Sequence, residues 1–287
     1  MAGPAIELAA TSRPPISRLR SLIVPREHGA WGMLLVPLAT GAAVGLLTGG
    51  RFVYLPLLII ATVVIFWLRT PVESWLGTSP LRAQSAEERN AVAKVIFFLT
   101  TVAAMALAGL FWAGQNTQLL ALGIIAGMAF AAQAALKKSR QTRSLAQLIG
   151  ALGLTVTAPA AYCVSVGHLS RLALLLWLGT WLFAVNQIQF VQLRIHSAHI
   201  EDAAQKLARS RGFLITQSAV VVTLLAVWRT GMLPGLVLLA FVPALVRAVA
   251  WFFAPPGPLV VRRLGWTELA HNLAFGIILV AGFYLCT

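Results

Sequence analysis

Nine runs of apolar residues, separated by polar gaps, take up about two thirds of the chain beyond residue 29. They cover 30–48, 52–68, 95–113, 118–136, 145–165, 172–193, 213–228, 232–252 and 267–286. Each is close to the ~20 residues that an α-helix needs to cross ~30 Å of hydrocarbon. The pattern predicts an all-α, polytopic bundle of nine transmembrane helices, with residues 23–287 as its single domain. Met1–Leu22 carries Pro4, Pro14 and Pro15, four Ser or Thr and little apolar periodicity. It reads as a disordered cytoplasmic tail, because it lacks the apolar core of a signal peptide.

The gaps alternate in character. "AGQNTQ", "VGHLSR" and "RTGMLPG" are minimal connectors, whereas the gaps between them are longer and chemically richer. In one of these, Ser85 followed by Glu88 reads as a capping box that opens an amphipathic turn leading into span three. In another, "HSAHIEDAAQKLARSRG" has helix-forming composition and a closing Gly212, which predicts a short interfacial helix.

Composition rules out a soluble domain of this length: 59% of residues are hydrophobic, 10% are charged, and mean hydropathy is +0.84. Charge adds an orientation. Of the 22 Lys and Arg, only Arg51, Arg171 and Arg229 fall in the odd-numbered gaps, and all eight acidic residues fall on the opposite face. By the positive-inside rule that face is cytoplasmic, placing the N-terminus inside and the C-terminus outside, most simply in a bacterial cytoplasmic membrane. The net charge of +14 is spread over short patches at helix ends, where orientation and anionic lipid head groups account for it, so no nucleic-acid partner is expected. Cys163 and Cys286 lack metal-ligand spacing and read as core residues, with a disulfide left open.

Candidate chemistry gathers at the inner ends of the spans. Before span one, "VPREHGAWG" sets Glu27 and His28 at the membrane surface, with Trp31 as an interfacial anchor and Gly29 and Gly32 permitting close helix approach. Span two ends in "FWLRTPVESWLG". Pro71 lies between Arg69 and Glu73 and biases Thr70 away from helix, which predicts a break there rather than an i,i+4 pair. Between spans four and five, Lys137, Lys138, Arg140 and Arg143 stand beside Ser139, Thr142 and Ser144. This donor set suits a phosphate or diphosphate, and a plain positive-inside patch explains it as well. Span six carries Asn186, Gln187, Gln189, Gln192 and Arg194. Amides in hydrocarbon are costly, so they should face the bundle interior, either bonding between helices or lining a wet cavity, with Asn186 and Gln189 on one face. Span nine opens with Glu268, His271 and Asn272 at i, i+3 and i+4, one stripe on which His271 could partner Glu268 or carry a proton. A haem pair would need two histidines at similar depth, and only His28 with His271 approximates one.

"LKKSRQTRSLAQLIGALGLTVTAPAAY" resembles the region after span four in the UbiA superfamily of intramembrane prenyltransferases. "PREHGAW" and "LGWTELAHNLAFG" resemble, more narrowly, the YwiC-like membrane proteins. The UbiA resemblance implies a cavity for an isoprenyl diphosphate, held through Mg2+ by Asp-rich motifs after spans two and six. This chain offers Arg69, Thr70 and Glu73 at the first position and Asn186, Gln189, Gln192 and Arg194 at the second. Neutral amides and arginines cannot replace carboxylates as Mg2+ ligands, so Mg2+-dependent prenyl transfer is not expected and no metal or cofactor is assigned.

Three function classes follow. The first is a divergent enzyme of this fold that binds and transfers an isoprenoid or other lipid (di)phosphate. There Arg69, Lys137, Lys138, Arg140, Arg143 and Arg194 bind phosphate, Glu27, His28, Glu268 and His271 handle protons, and Glu73, Asn186, Gln189, Gln192 and Asn272 line the cavity. The second is a non-catalytic protein binding a quinone, lipid or haem. The third is a transporter or a structural subunit of a membrane complex.

Overall fold

In hydrocarbon every backbone N–H and C=O must be satisfied within the segment, so apolar runs of this length fold as helices. The computed structural model describes residues 16–25, 28–79, 81–114, 117–137, 139, 142–197, 203–253 and 260–285. Among the described residues it contains thirteen α-helices and no strand: α1 (Ile16–Ile23), α2 (His28–Leu47), α3 (Leu55–Leu76), α4 (Ala86–Trp112), α5 (Thr117–Leu136), α6 (Arg143–Thr155), α7 (Thr157–Val166), α8 (Arg171–His196), α9 (Ala203–Arg209), α10 (Arg211–Arg229), α11 (Gly235–Leu238), α12 (Val242–Phe253) and α13 (Val261–Tyr284). Nine stretches among them are long and apolar enough to cross a membrane, matching the nine predicted spans. The chain is an integral membrane protein.

Two spans are composite. The fifth is α6 followed by α7, interrupted at Val156. Pro159 explains the break, because its ring clashes with the carbonyl of residue 155 and it has no N–H to give. The Thr157 hydroxyl, which donates to the Leu34 and Leu154 carbonyls at 3.0 Å each, supplies a polar contact beside the interruption. The eighth span is α11, a 3-10 turn over Leu239–Phe241, and α12, with Pro243 near the start of the last helix.

The chain divides into two compact units. One comprises residues 1–26 and 60–107. In it Ile16–Ile23 is helical, where a structureless tail is expected from Met1 to Leu22; residues 1–15 lie outside the described residues. Four side-chain contacts hold α1. Arg18 Nε donates to Glu88 Oε1 at 2.7 Å and its Nη2 to Gln84 Oε1 at 2.8 Å. Trp67 Nε1 donates to the Ile23 carbonyl at 2.9 Å and Ser74 Oγ to the Leu22 carbonyl at 3.1 Å. The last two satisfy carbonyls that a helix C-terminus leaves open. The predicted capping box is present: Glu88 N–H donates to Ser85 Oγ at 3.1 Å, while Glu88 Oε2 accepts from the backbone of Gln84 at 2.8 Å and of Ser85 at 3.4 Å.

The other unit comprises residues 27–59 and 108–287. Its largest cluster is built on Val44, Ala158, Leu176, Phe183, Phe241, Phe275 and Leu279. A second gathers Leu38, Leu55, Leu110, Leu122 and Val164, and a third Phe190, Leu193, Phe213, Ala248 and Trp251. α2 runs close against α7 because small residues face each other. A Cβ on Gly41 would stand 2.0 Å from the Ala158 carbonyl oxygen, and one on Gly45 2.8 Å from the Ser165 side chain. A Cβ on Gly32 would stand 2.7 Å from Asn272 Nδ2 of α13, as expected of a close-approach glycine; Gly29 has open space around it. The predicted interfacial helix is α9, which closes at Arg209, so Gly212 falls inside α10. Its Lys206 is buried, with Nζ 5.7 Å from the centroid of the Trp251 ring. Cys163 is a buried free thiol, and Cys286 lies outside the described residues.

Candidate functional site

The helix-forming pattern of span six carries four side-chain amides into the bundle on α8, and three of them bond across to other helices. Asn186 Nδ2 donates to Gln217 Oε1 of α10 at 2.8 Å. Gln187 Nε2 donates to the Glu268 backbone carbonyl of α13 at 2.9 Å. Gln192 Nε2 donates to Gln147 Oε1 of α6, and Gln192 Oε1 accepts from Ser144 Oγ at 3.5 Å. Of the two expectations for these amides, bonding between helices is the one realised at these positions. Asn186 and Gln189 lie three apart on the continuous α8 and so on one face; Asn186 is fully buried, bonded to Gln217, whereas Gln189 is half-buried.

The same end of α8 meets a buried ion pair. Arg247 Nη1 of α12 stands 2.5 Å from Glu268 Oε1 of α13, with both side chains 12% exposed. The Arg247 guanidinium carbon lies 4.1 Å from the centroid of the Phe190 ring, a cation–π contact that leaves the edge of the fork open. Arg194 is half-buried one turn beyond Phe190 and within electrostatic reach of both Glu268 and Arg247. Two arginines and one carboxylate give this cluster one excess positive charge. Arg247 Nε and Nη2 and Glu268 Oε2 are buried with no hydrogen-bond partner among the described residues. An unmatched polar atom in such surroundings costs ~1–3 kcal/mol, more when charged, so the arrangement is suited to receive a further polar group. The two free nitrogens of one guanidinium edge match two oxygens of a phosphate or carboxylate.

The structure gathers Asn186, Arg194 and Glu268 from the predicted set, and it adds Arg247, Gln187 and Gln217. The sequence marks Gln187 as one of the span-six amides and Arg247 as one more cation of the inner face, and it carries no motif that marks Gln217. The signal that could have found Arg247 and Gln217 is their placement. Each interrupts an otherwise apolar span, where a polar side chain faces the bundle interior or a partner.

Other predicted residues stand elsewhere. Arg69 Nε donates to Glu73 Oε1 at 3.0 Å, the i,i+4 pair that Pro71 was expected to prevent. α3 runs unbroken from Leu55 to Leu76 because a proline forfeits one helix bond, whereas a break would expose several backbone groups in a setting without water. His271 does not partner Glu268; its Nδ1 stands 2.7 Å from the Thr267 carbonyl on its own helix. Asn272 is buried over Gly32. Lys137 and Arg143 are exposed at the two ends of the turn joining α5 and α6, and the Thr142 hydroxyl turns back to the Leu136 carbonyl at 2.6 Å. Glu27, Lys138 and Arg140 lie outside the described residues, as does the side chain of His28.

No curated protein matches the chain. Residues 24–162 match the family model described as YwiC-like protein, which covers α2–α5, α6 and the first part of α7 and excludes the Arg247–Glu268 cluster. The likeness first seen in "PREHGAW" is thus shown over the first five spans: this integral membrane chain carries a YwiC-like region from residue 24 to residue 162.

Proposed function

We propose that the protein binds an anionic amphiphile, an isoprenoid or other lipid (di)phosphate, at the inner ends of spans six, eight and nine. The observation that carries this reading is Arg247. One of its nitrogens engages Glu268, and the other two are buried without a partner among the described residues. A phosphate would accept from Arg247 Nε and Nη2 together, with Arg194 supplying a second positive charge and Glu268 holding the Arg247 side chain in place. The chain of such a ligand would lie among the apolar side chains that the helices present, for example Leu269, Leu273 and Val246. With the N-terminus in the cytoplasm, the head group would enter from the inner leaflet of a bacterial cytoplasmic membrane.

The test is mass spectrometry of lipids retained by protein purified in mild detergent. A lipid phosphate enriched over the bulk membrane extract, and depleted when Arg247 is replaced by Ala, is the expected result. Retained lipid that mirrors the bulk extract would remove the proposal. Turnover of a prenyl diphosphate by the same preparation without Mg2+ would extend binding to transfer. Topology is read separately by reporter fusions at the two termini, active on opposite sides if the orientation holds.

A further inference from the structure

The polar groups of α8 continue inward from Arg194. Asn186, Phe190 and Arg194 recur every fourth residue and so share a stripe, along which Asn186 lies about 12 Å from Arg194 at ~1.5 Å per residue. Asn186 is 0% exposed and Gln217 8%. Their single hydrogen bond, 2.8 Å long, leaves Asn186 Oδ1 and Gln217 Nε2 buried with no partner among the described residues. One is an acceptor and the other a donor. Turning both amides over leaves the same demand, since each still uses one of its two polar atoms. A carboxylate could satisfy only the donor and an ammonium only the acceptor; a hydroxyl can serve both.

On the far side of Asn186 the character changes abruptly. Phe183, three residues earlier, stacks on Phe275 with centroids 3.9 Å apart, and Phe241 meets Phe275 edge-on at 5.2 Å. None of the three is more than 2% exposed. The stripe, which carries the buried Phe190 ring between its two polar ends, therefore stops beyond Asn186 against close-packed aromatic rings that offer no group for a further polar partner.

We infer that the anion site continues inward as a one-sided recess that ends at the Asn186–Gln217 pair, where a hydroxyl is held. The hydroxyl comes from water or from the head group of the bound lipid. The inference rests on the proposed anion binding for what enters the recess, while the unmatched amide atoms support the recess independently.

The test uses the full chain with Cys163→Ala and Cys286→Ala as background, carrying Asn186→Cys, Gln217→Cys, Arg194→Cys or Phe183→Cys in turn. A membrane-impermeant anionic thiosulfonate is applied to inverted and to right-side-out vesicles. The recess predicts labelling of Arg194→Cys, Asn186→Cys and Gln217→Cys from the inner face only, and of Phe183→Cys from neither. Reconstitution into phosphatidylglycerol or phosphatidic acid vesicles distinguishes the sources. Protection of Asn186→Cys by phosphatidylglycerol alone assigns the hydroxyl to the lipid head group, and absence of protection by both assigns it to water. Gln217→Cys reads the same site if Asn186→Cys does not fold. Labelling of Arg194→Cys while both amide-position cysteines stay unlabelled would overturn the recess. It would leave the anion site standing, because lipid retention is measured with Asn186 and Gln217 intact.

Discussion

Two helix crossings in one unit meet the absence of water in opposite ways. Where α2 lies on α7, backbones approach so closely that Gly41 has no room for a Cβ, and the hydroxyls nearby are all engaged: Thr40 to Val36, Thr157 to Leu34 and Ser165 to Ala161. Where α8, α10, α12 and α13 meet, charged and amide groups are buried and five of their atoms have no partner among the described residues. The first crossing is finished within the chain. The second is arranged so that something else can complete it. The YwiC-like region holds all of α2 and α7 as far as Tyr162, leaving Ser165 beyond it, and the unfinished crossing lies outside it.

The comparison breaks most visibly at Glu268. Glu268→Ala would leave the Arg247 charge buried without its counter-ion and should lower stability by ~3–5 kcal/mol, read as denaturant unfolding in detergent. Replacing the pair together, Arg247→Met with Glu268→Leu, should leave stability within ~1 kcal/mol of the parent and abolish enriched lipid. A Glu268→Ala loss no larger than that of the double variant would mean that Arg247 is hydrated rather than held dry. Next in size is Gly41→Ala, expected to cost ~1–3 kcal/mol because a Cβ would meet backbone that cannot yield. Gly29→Ala, with nothing within 4 Å, should be neutral or slightly stabilising through helix propensity. Equal effects of the two substitutions would remove the distinction drawn for the first crossing.

A third polar device sharpens the contrast. Glu88 is as buried as any charged group described, yet it is fully engaged, accepting from Arg18 and from two backbone N–H groups. Glu88→Gln should cost ~1 kcal/mol, since the Arg18 side chain is 42% exposed and solvent screens the pair. Loosening of α1 is read as faster tryptic cleavage at Arg20; unchanged cleavage would show that Trp67 and Ser74 hold the helix alone. The smallest effect belongs to His271→Ala, within ~0.5 kcal/mol in the same unfolding assay, because its ring nitrogen bonds only back to its own helix. A larger loss would indicate a partner for His271 beyond Thr267.

The spans were legible because a ~20-residue apolar run has few foldings available in hydrocarbon, and the Ser85–Glu88 box was legible because its four residues are local. Pro71 misled for a physical reason. The bias it places on Thr70 is measured against chains that can break into water, and α3 keeps its helix where breaking costs more. The site was legible only in part. Asn186, Arg194 and Glu268 could be named from composition and depth. Their partners come from other spans, Gln217 lying 31 residues from Asn186 and Arg247 21 residues from Glu268, and local spacing pointed instead to His271 for Glu268. Arg247 was hidden by the orientation rule that explains arginines at helix ends so well. Its position in the middle of α12 is the mark that separates it from them.

The most direct test of the central claim is lipid retention by Arg247→Lys, measured by native mass spectrometry beside the parent protein. Lysine keeps a positive charge opposite Glu268 and replaces the guanidinium fork with a single ammonium. The account predicts a folded protein with parental unfolding behaviour and lipid-phosphate affinity lowered about tenfold, equivalent to ~1.4 kcal/mol. Undiminished retention by this variant would contradict the assignment of the two free Arg247 nitrogens to a phosphate.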